Sequence, residues 1–128
     1  MSTSRCRILY IDDHQDSAEM LRLLLSDEHE VVIATSIKEA IELVKIQSFD
    51  LYVLDRRLPD GTGMELCTLL NEVTPHVPCI FYTGDAYEVH RQQALAAGAQ
   101  EYVSKPNIEE LIETVTRILA EKECAAAS

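Results

Sequence analysis

The chain has 128 residues, a formal net charge of −11, and 47% hydrophobic against 26% charged side chains. That length suits one domain with a proper core, and the acidity argues against nucleic acid or an anionic membrane surface as a direct partner. The polar start, residues 1–7, lacks a signal peptide's apolar core, and no apolar run approaches a membrane span; the separated Cys6, Cys67, Cys79 and Cys124 read as reduced thiols of a cytoplasmic protein.

Strand and helix signals alternate to the end. Residues 8–11, Ile-Leu-Tyr-Ile, form a first strand that leads straight into Asp12 and Asp13. Asp16 reads as a helix N-cap with Glu19 completing a capping box, and Met20, Leu21, Leu24 and Leu25 share a helical stripe. Residues 31–34 are a second strand. Ser36 then caps a second helix, with Glu39 in the box position and Ala40, Ile41 and Val44 facing inward. Residues 50–54 are a third strand, apolar as expected for one buried on both faces, and Asp55 follows it. Pro59, Asp60, Gly61, Thr62 and Gly63 compose a loop. A third helix, 64–73, stops before Pro75. The fourth strand, 78–82, is followed by Thr83, and a fourth helix, 87–97, is stopped by Gly98. The fifth strand, 101–103, is short and lies just before Lys105. Asn107 caps the last helix, with Glu110 three residues on and a stripe of Leu111, Ile112, Val115, Ile118 and Leu119.

Five βα units with short connections predict an α/β fold: a doubly wound, five-stranded parallel sheet flanked by five helices. Such sheets bind ligands outside the carboxyl ends of their strands. Asp12, Asp13, Asp55, Thr83 and Lys105 all fall there. Three carboxylates, a hydroxyl and an ammonium describe a site for a divalent cation and a phosphoryl group. Taken singly, each has a plainer reading as a turn aspartate or a surface side chain, and Tyr102 as a partly buried aromatic with a wet hydroxyl. It is the five-point coincidence that carries weight. Gly61 and Gly63 belong to loop geometry, since the full phosphate-loop pattern is missing. His14, His29, His76 and His90 lack metal-ligand spacing and read as surface residues, with His14 near the acidic pocket.

The ordered pieces Ile11-Asp12-Asp13, Leu54-Asp55-Arg56-Arg57-Leu58-Pro59-Asp60-Gly61, Tyr82-Thr83-Gly84, Gly98-Ala99 with Tyr102, and Lys105-Pro106 carry a family resemblance. Over roughly residues 7–119 the chain resembles a response-regulator receiver domain, the CheY-like phospho-acceptor of two-component signalling. The resemblance implies a flavodoxin-like (βα)5 fold and a switch, not an enzyme: the domain assists only its own phosphorylation and dephosphorylation. Asp55 would accept a phosphoryl group from a histidine kinase or a histidine phosphotransfer protein. Mg2+, with Mn2+ able to substitute, would sit on Asp12, Asp13, Asp55 and the backbone carbonyl of Arg57, a donor set that suits this ion. Thr83, Gly84 and Lys105 would bind the phosphoryl oxygens. Thr83 and Tyr102 would form the switch, reshaping the face of the fourth helix, fifth strand and fifth helix for a downstream protein or a covalently linked output domain.

The chain then reads as a single receiver domain over residues 1–128, with its core at about 7–121 and no output domain. Asn107 stands where many members carry Phe, and Gly98-Ala99-Gln100-Glu101 lacks a paired Asp, which weakens the case for dimerisation through the fourth and fifth helices. Arg57 and Asp85 are expected on opposite lips of the site, as an ion pair that hinders the attacking water and modulates dephosphorylation. A rival reading is a Mg2+-dependent phosphohydrolase with an aspartate nucleophile. That class expects Asp-x-Asp after the first strand and a large cap domain, and neither is present. A receiver that docks partners without being phosphorylated is a third reading, opposed by the intact Asp12, Asp13, Asp55, Thr83 and Lys105.

Overall fold

A computed structural model describes residues 5–84 and 87–121. Strand β1 (Arg7–Ile11) lies between β2 (Glu30–Ala34) and β3 (Leu51–Leu54), and β6 (Cys79–Thr83) and β7 (Glu101–Ser104) extend the sheet beyond β3. The order is β2-β1-β3-β6-β7, and every pairing is parallel. The chain thus steps outward from β1 to β2, then returns across β1 to build the other side. This puts a topological switch point between β1 and β3, where a doubly wound sheet opens a crevice.

Helices α1 (Gln15–Leu25) and α5 (Ile108–Ala120) cover one face. Helices α2 (Ile37–Ile46), α3 (Gly63–Val73) and α4 (Glu88–Ala96) cover the other. The period-two alternation of a strand divides the core between them. Ile8, Tyr10, Val53 and Ile80 pack with Leu21, Leu25, Leu111 and Val115 on the first face. Leu9, Ile11, Tyr52, Leu54 and Phe81 pack with Ala40, Leu66, Leu70 and Ala94 on the second. Each large apolar side chain so buried contributes about 1.5–3 kcal/mol relative to exposure.

The expected α/β sheet is present, and several local expectations are revised. Asp16 is not the N-cap of α1; that position belongs to His14. The Asp12 carboxylate accepts the His14 N–H at 2.9 Å, which starts the helix two residues early. Its buried stripe is Ala18, Leu21 and Leu25, while Met20 and Leu24, expected on the stripe, are half exposed. Ser36 does cap α2, accepting the Glu39 N–H, but the Glu39 carboxylate turns to the backbone and hydroxyl of Thr35 instead of to Ser36. Asn107 occupies the N-cap position of α5 without a side-chain cap bond. Residues 57–62 are more than a loop: β4 (Arg57–Leu58) and β5 (Gly61–Thr62) form a small antiparallel pair. Thr62 then caps α3 in a reciprocal box with Glu65. Gly98, at φ 113°, ends α4 as expected. Cys67 and Cys79 are free and buried, whereas Cys6 is disulfide-bonded, so the reading of all four cysteines as reduced thiols fails for that one. Among the described residues no helix is long and apolar enough to cross a membrane.

Candidate functional site

The parallel ladder continues one step past each central strand, and that continuation sets the site. The Asp12 N–H donates to the Ala34 carbonyl and the Asp55 N–H to the Ile11 carbonyl, both at 3.0 Å. The Lys105 N–H donates to the Thr83 carbonyl at 2.8 Å, and the Lys105–Pro106 peptide is cis. Backbone pairing therefore fixes the Cα positions of Asp12, Asp55 and Lys105 before any side-chain contact is made. Gly63 adds a lateral brace: its N–H donates to the Arg56 carbonyl at 2.7 Å. A methyl group there would run into the Asp55 carbonyl oxygen and lie 2.8 Å from the Phe81 ring.

Asp12 is fully buried and Asp55 is 5% exposed, an unusual state for carboxylates. Each is compensated. Asp12 Oδ2 accepts from the Tyr10 hydroxyl at 2.8 Å and from Lys105 Nζ at 2.7 Å. Asp55 Oδ1 accepts the Arg56 N–H at 2.6 Å, and its Oδ2 lies 3.4 Å from Lys105 Nζ. One ammonium thus bridges two carboxylates. Burial pushes the Asp12 carboxyl up, but the bonds from Lys105, the His14 N–H and Tyr10, with the Lys105 charge, outweigh it and leave it below the ordinary carboxylate range. Burial likewise works against the Lys105 ammonium, and Asp12 and Asp55 more than reverse it, raising its pKa. The Tyr10 phenol is held neutral by burial and by the Asp12 charge beside it.

Asp13, at the rim, is exposed. Ligand atoms of Asp12, Asp13, His14 and Asp55 all lie within 4.8 Å of one another. Lys105 contacts two of the three carboxylates, Asp12 and Asp55, so a net negative charge remains in a small volume, and a hard divalent cation with oxygen ligands fits the three carboxylates. Beside the carboxylates opens a cavity of about 510 Å³ between His14, Asp55, Arg57, Thr83, Tyr87 and Lys105.

The structure brings together Asp12, Asp13, Asp55, Thr83, Gly84, Lys105 and Arg57 at the carboxyl ends of the strands. Thr83 is buried at the end of β6, and Gly84 lines the cavity with nothing among the described residues within 4 Å of where a side chain would start. Arg57 opens β4 on the cavity rim. Tyr102 is half buried on β7, stacked on Phe81 with ring centroids 5.9 Å apart and planes 18° from parallel. Asp85 lies outside the described residues, and with it the expected Arg57–Asp85 pair.

Two participants, Tyr10 and Arg56, are absent from the sequence-based expectation of the site, and a third, His14, is expected near the pocket but not in contact with it. Tyr10 is two residues before Asp12 and so on the same strand face, a signal that was present. His14 was read as a surface residue, and its side chain is 68% exposed, yet its Nδ1 stands 3.0 Å from Asp12 Oδ1. Arg56 reaches across to α4, its guanidinium 3.1 Å from His90 Nε2. No local pattern signals a contact spanning 34 residues.

Comparison with known proteins gives a consistent result. The family model described as the response regulator receiver domain matches residues 8–116. The response regulator protein PilR of Pseudomonas aeruginosa is 34% identical over 120 residues, covering 90% of this chain and 27% of that protein. The chain spans less than half the length of three such curated regulators, PilR among them. Among solved structures, a two-component response regulator from Clostridium difficile superposes with a TM-score of 0.87 at 30% identity, covering 91% of this chain and 98% of that one. A CheY-like receiver domain protein from Methanospirillum hungatei gives 0.86 at 32% identity, with 92% and 96% covered.

Proposed function

Because the chain belongs to the response-regulator receiver domain family, the phosphorylation-dependent switches of two-component signalling, we propose that Asp55 is its phospho-acceptor and that Asp12, Asp13, Asp55 and the Arg57 carbonyl hold Mg2+ beside it. The observation that carries this reading is the single ammonium of Lys105 bridging Asp12 and Asp55 at the mouth of an open cavity. Receiver domains are signalling modules that take phosphoryl groups from histidine kinases and act on downstream outputs.

A carboxylate oxygen of Asp55 attacks the phosphorus of a phosphohistidine. The O–P bond forms as the P–N bond breaks, and the imidazole leaves with the electron pair. Bound Mg2+ supplies charge neutralisation for the transferring oxygens. The chain's own work is positioning and electrostatics. Gly63 and the Ile11 carbonyl fix the Asp55 backbone, Lys105 offsets the negative charge, and Thr83 with the Gly84 backbone receives phosphoryl oxygens. The acyl phosphate adds charge and three strong acceptors. Thr83 then draws toward it and Tyr102 follows, which reshapes the face of α4, β7 and α5 for a downstream protein or a linked output domain. Arg57 and Asp85 modulate how readily water reaches the phosphoryl group. In this reading the chain is one receiver unit working in the cytoplasm, supplied by a histidine kinase or a phosphotransfer protein.

Incubation with acetyl phosphate and Mg2+, followed by intact-mass measurement, tests the assignment. The wild type should gain one phosphoryl group in a Mg2+-dependent manner, and Asp55→Asn should gain none. An equal gain in Asp55→Asn, or no gain and no phosphate release in the wild type, would overturn it.

A further inference from the structure

Among the described residues, His14 is the imidazole that reaches the acidic pocket. It sits in the turn between β1 and α1 with an extended backbone, φ −91° and ψ 99°, and its N–H is held by Asp12. That anchoring aims the ring back over the carboxylates. Nδ1 stands 3.0 Å from Asp12 Oδ1, 3.3 Å from Asp13 Oδ1 and 3.6 Å from Asp55 Oδ2. Nδ1 and one oxygen of each carboxylate lie within 4.8 Å of one another, close enough for a single ion to be reached by all four. Packing does not force the ring there, since most of its surface is in solvent. A hydrogen bond to Asp12 accounts for the first of these distances; a cationic ring would be drawn to all three carboxylates, whereas a neutral ring offers Nδ1 as a lone-pair donor to an ion among them.

We propose that His14 is a nitrogen ligand to the cation in this pocket, and that the site therefore favours late first-row divalent ions over Mg2+. The proposal rests on the pocket being the receiver's cation site, as argued above. Mg2+ favours oxygen donors and gains little from an imidazole. Co2+, Ni2+ and Zn2+ bind imidazole well, and their affinity climbs along the first-row series. A site of three carboxylates and one imidazole is the mixed donor set such ions take.

Calorimetric titration of the full chain with Mg2+ and with Co2+, beside the visible spectrum of the Co2+ form, tests this. In the wild type the Co2+ affinity should exceed the Mg2+ affinity, and His14→Ala should shrink that ratio about tenfold or more. The Co2+ absorption bands should shift in the same variant. Asp13→Asn, which removes a carboxylate from the same pocket, should weaken both ions and so identify the binding that belongs there. An unchanged ratio and spectrum in His14→Ala, with Mg2+ bound normally by the wild type, overturns the His14 assignment alone. Failure of the wild type to bind either ion overturns both this assignment and the cation site beneath it.

Discussion

The two walls beside Asp55 are built to different tolerances. On the β3 side, the start of α3 is pressed so closely against Asp55 that Gly63 has no room for a methyl group. On the β6 side, Gly84 has no atom of the described residues within 4 Å of where a methyl group would lie. The helices behind them differ in the same sense. Helix α3 buries Gly63, Leu66, Cys67 and Leu70, whereas α4 buries only Ala94 among its described residues and leaves Val89 58% exposed. Segments with few buried apolar contacts open at low free-energy cost. Asp55 is thus fixed by a wall that cannot yield, and α4, on the face that the proposed switch would reshape, is the helix whose displacement disturbs little packing.

Paired substitutions can break that contrast. The largest effect is expected from Leu66→Ala on α3, which should cost about 2–5 kcal/mol in chemical denaturation, because a fully buried leucine leaves a cavity. Val89→Ala on α4 should stay within about 0.5 kcal/mol. Equal losses would show that α4 is anchored as firmly as α3. The glycines sharpen the same point at the site itself. Gly63→Ala should cost about 1–3 kcal/mol by overpacking against the Asp55 carbonyl. Gly84→Ala should leave stability within about 0.5 kcal/mol. A tolerant Gly63 would remove the argument for a rigid wall.

The far end of the sheet supplies the control, with the smallest effect. Burial holds the His29 imidazole below its usual pKa of 6.5, and Nδ1 accepts the Cys6 N–H at 3.1 Å, which requires the neutral ring. Below about pH 6.5 the unfolded chain takes up this proton more readily than the folded one, so stability falls as pH drops and levels off below the depressed folded value. Thermal midpoints across that window should decline in the wild type and decline less in His29→Asn, which keeps an acceptor but cannot titrate. An identical decline would assign the slope to other groups, the acidic pocket included.

Much of this architecture is legible in the chain because it rests on short-range rules. Continuous apolar runs mark β1, β3 and β6 as buried on both faces, and the polar residue after each run marks the carboxyl end where a ligand belongs. Legibility fails where two local solutions compete or where contacts are remote. Asp16 with Glu19 has capping-box spacing, but the Asp12 carboxylate captures the His14 N–H first. Thr62 with Glu65 has the same spacing, yet the surrounding glycines and Pro59 made the segment resemble plain loop. Met20 and Leu24 lie one helical position, about 100°, from Leu21 and Leu25, and which of the adjacent apolar pairs faces the sheet is decided by how α1 docks. The Arg56–His90 contact and the reach of His14 into the pocket depend on how separate βα units dock, and periodicity carries no record of that.

One buried phenol has a stereochemical consequence for the pocket above it. The Tyr10 hydroxyl and the Lys105 ammonium both donate to Asp12 Oδ2, at 2.8 and 2.7 Å. Oδ1, which also accepts the His14 N–H at 2.9 Å, is then the oxygen of that carboxylate that would face a cation, so Asp12 would grip one with a single oxygen and not close around it with both. A one-handed ligand would leave room around the ion for water, and then for an arriving phosphoryl oxygen.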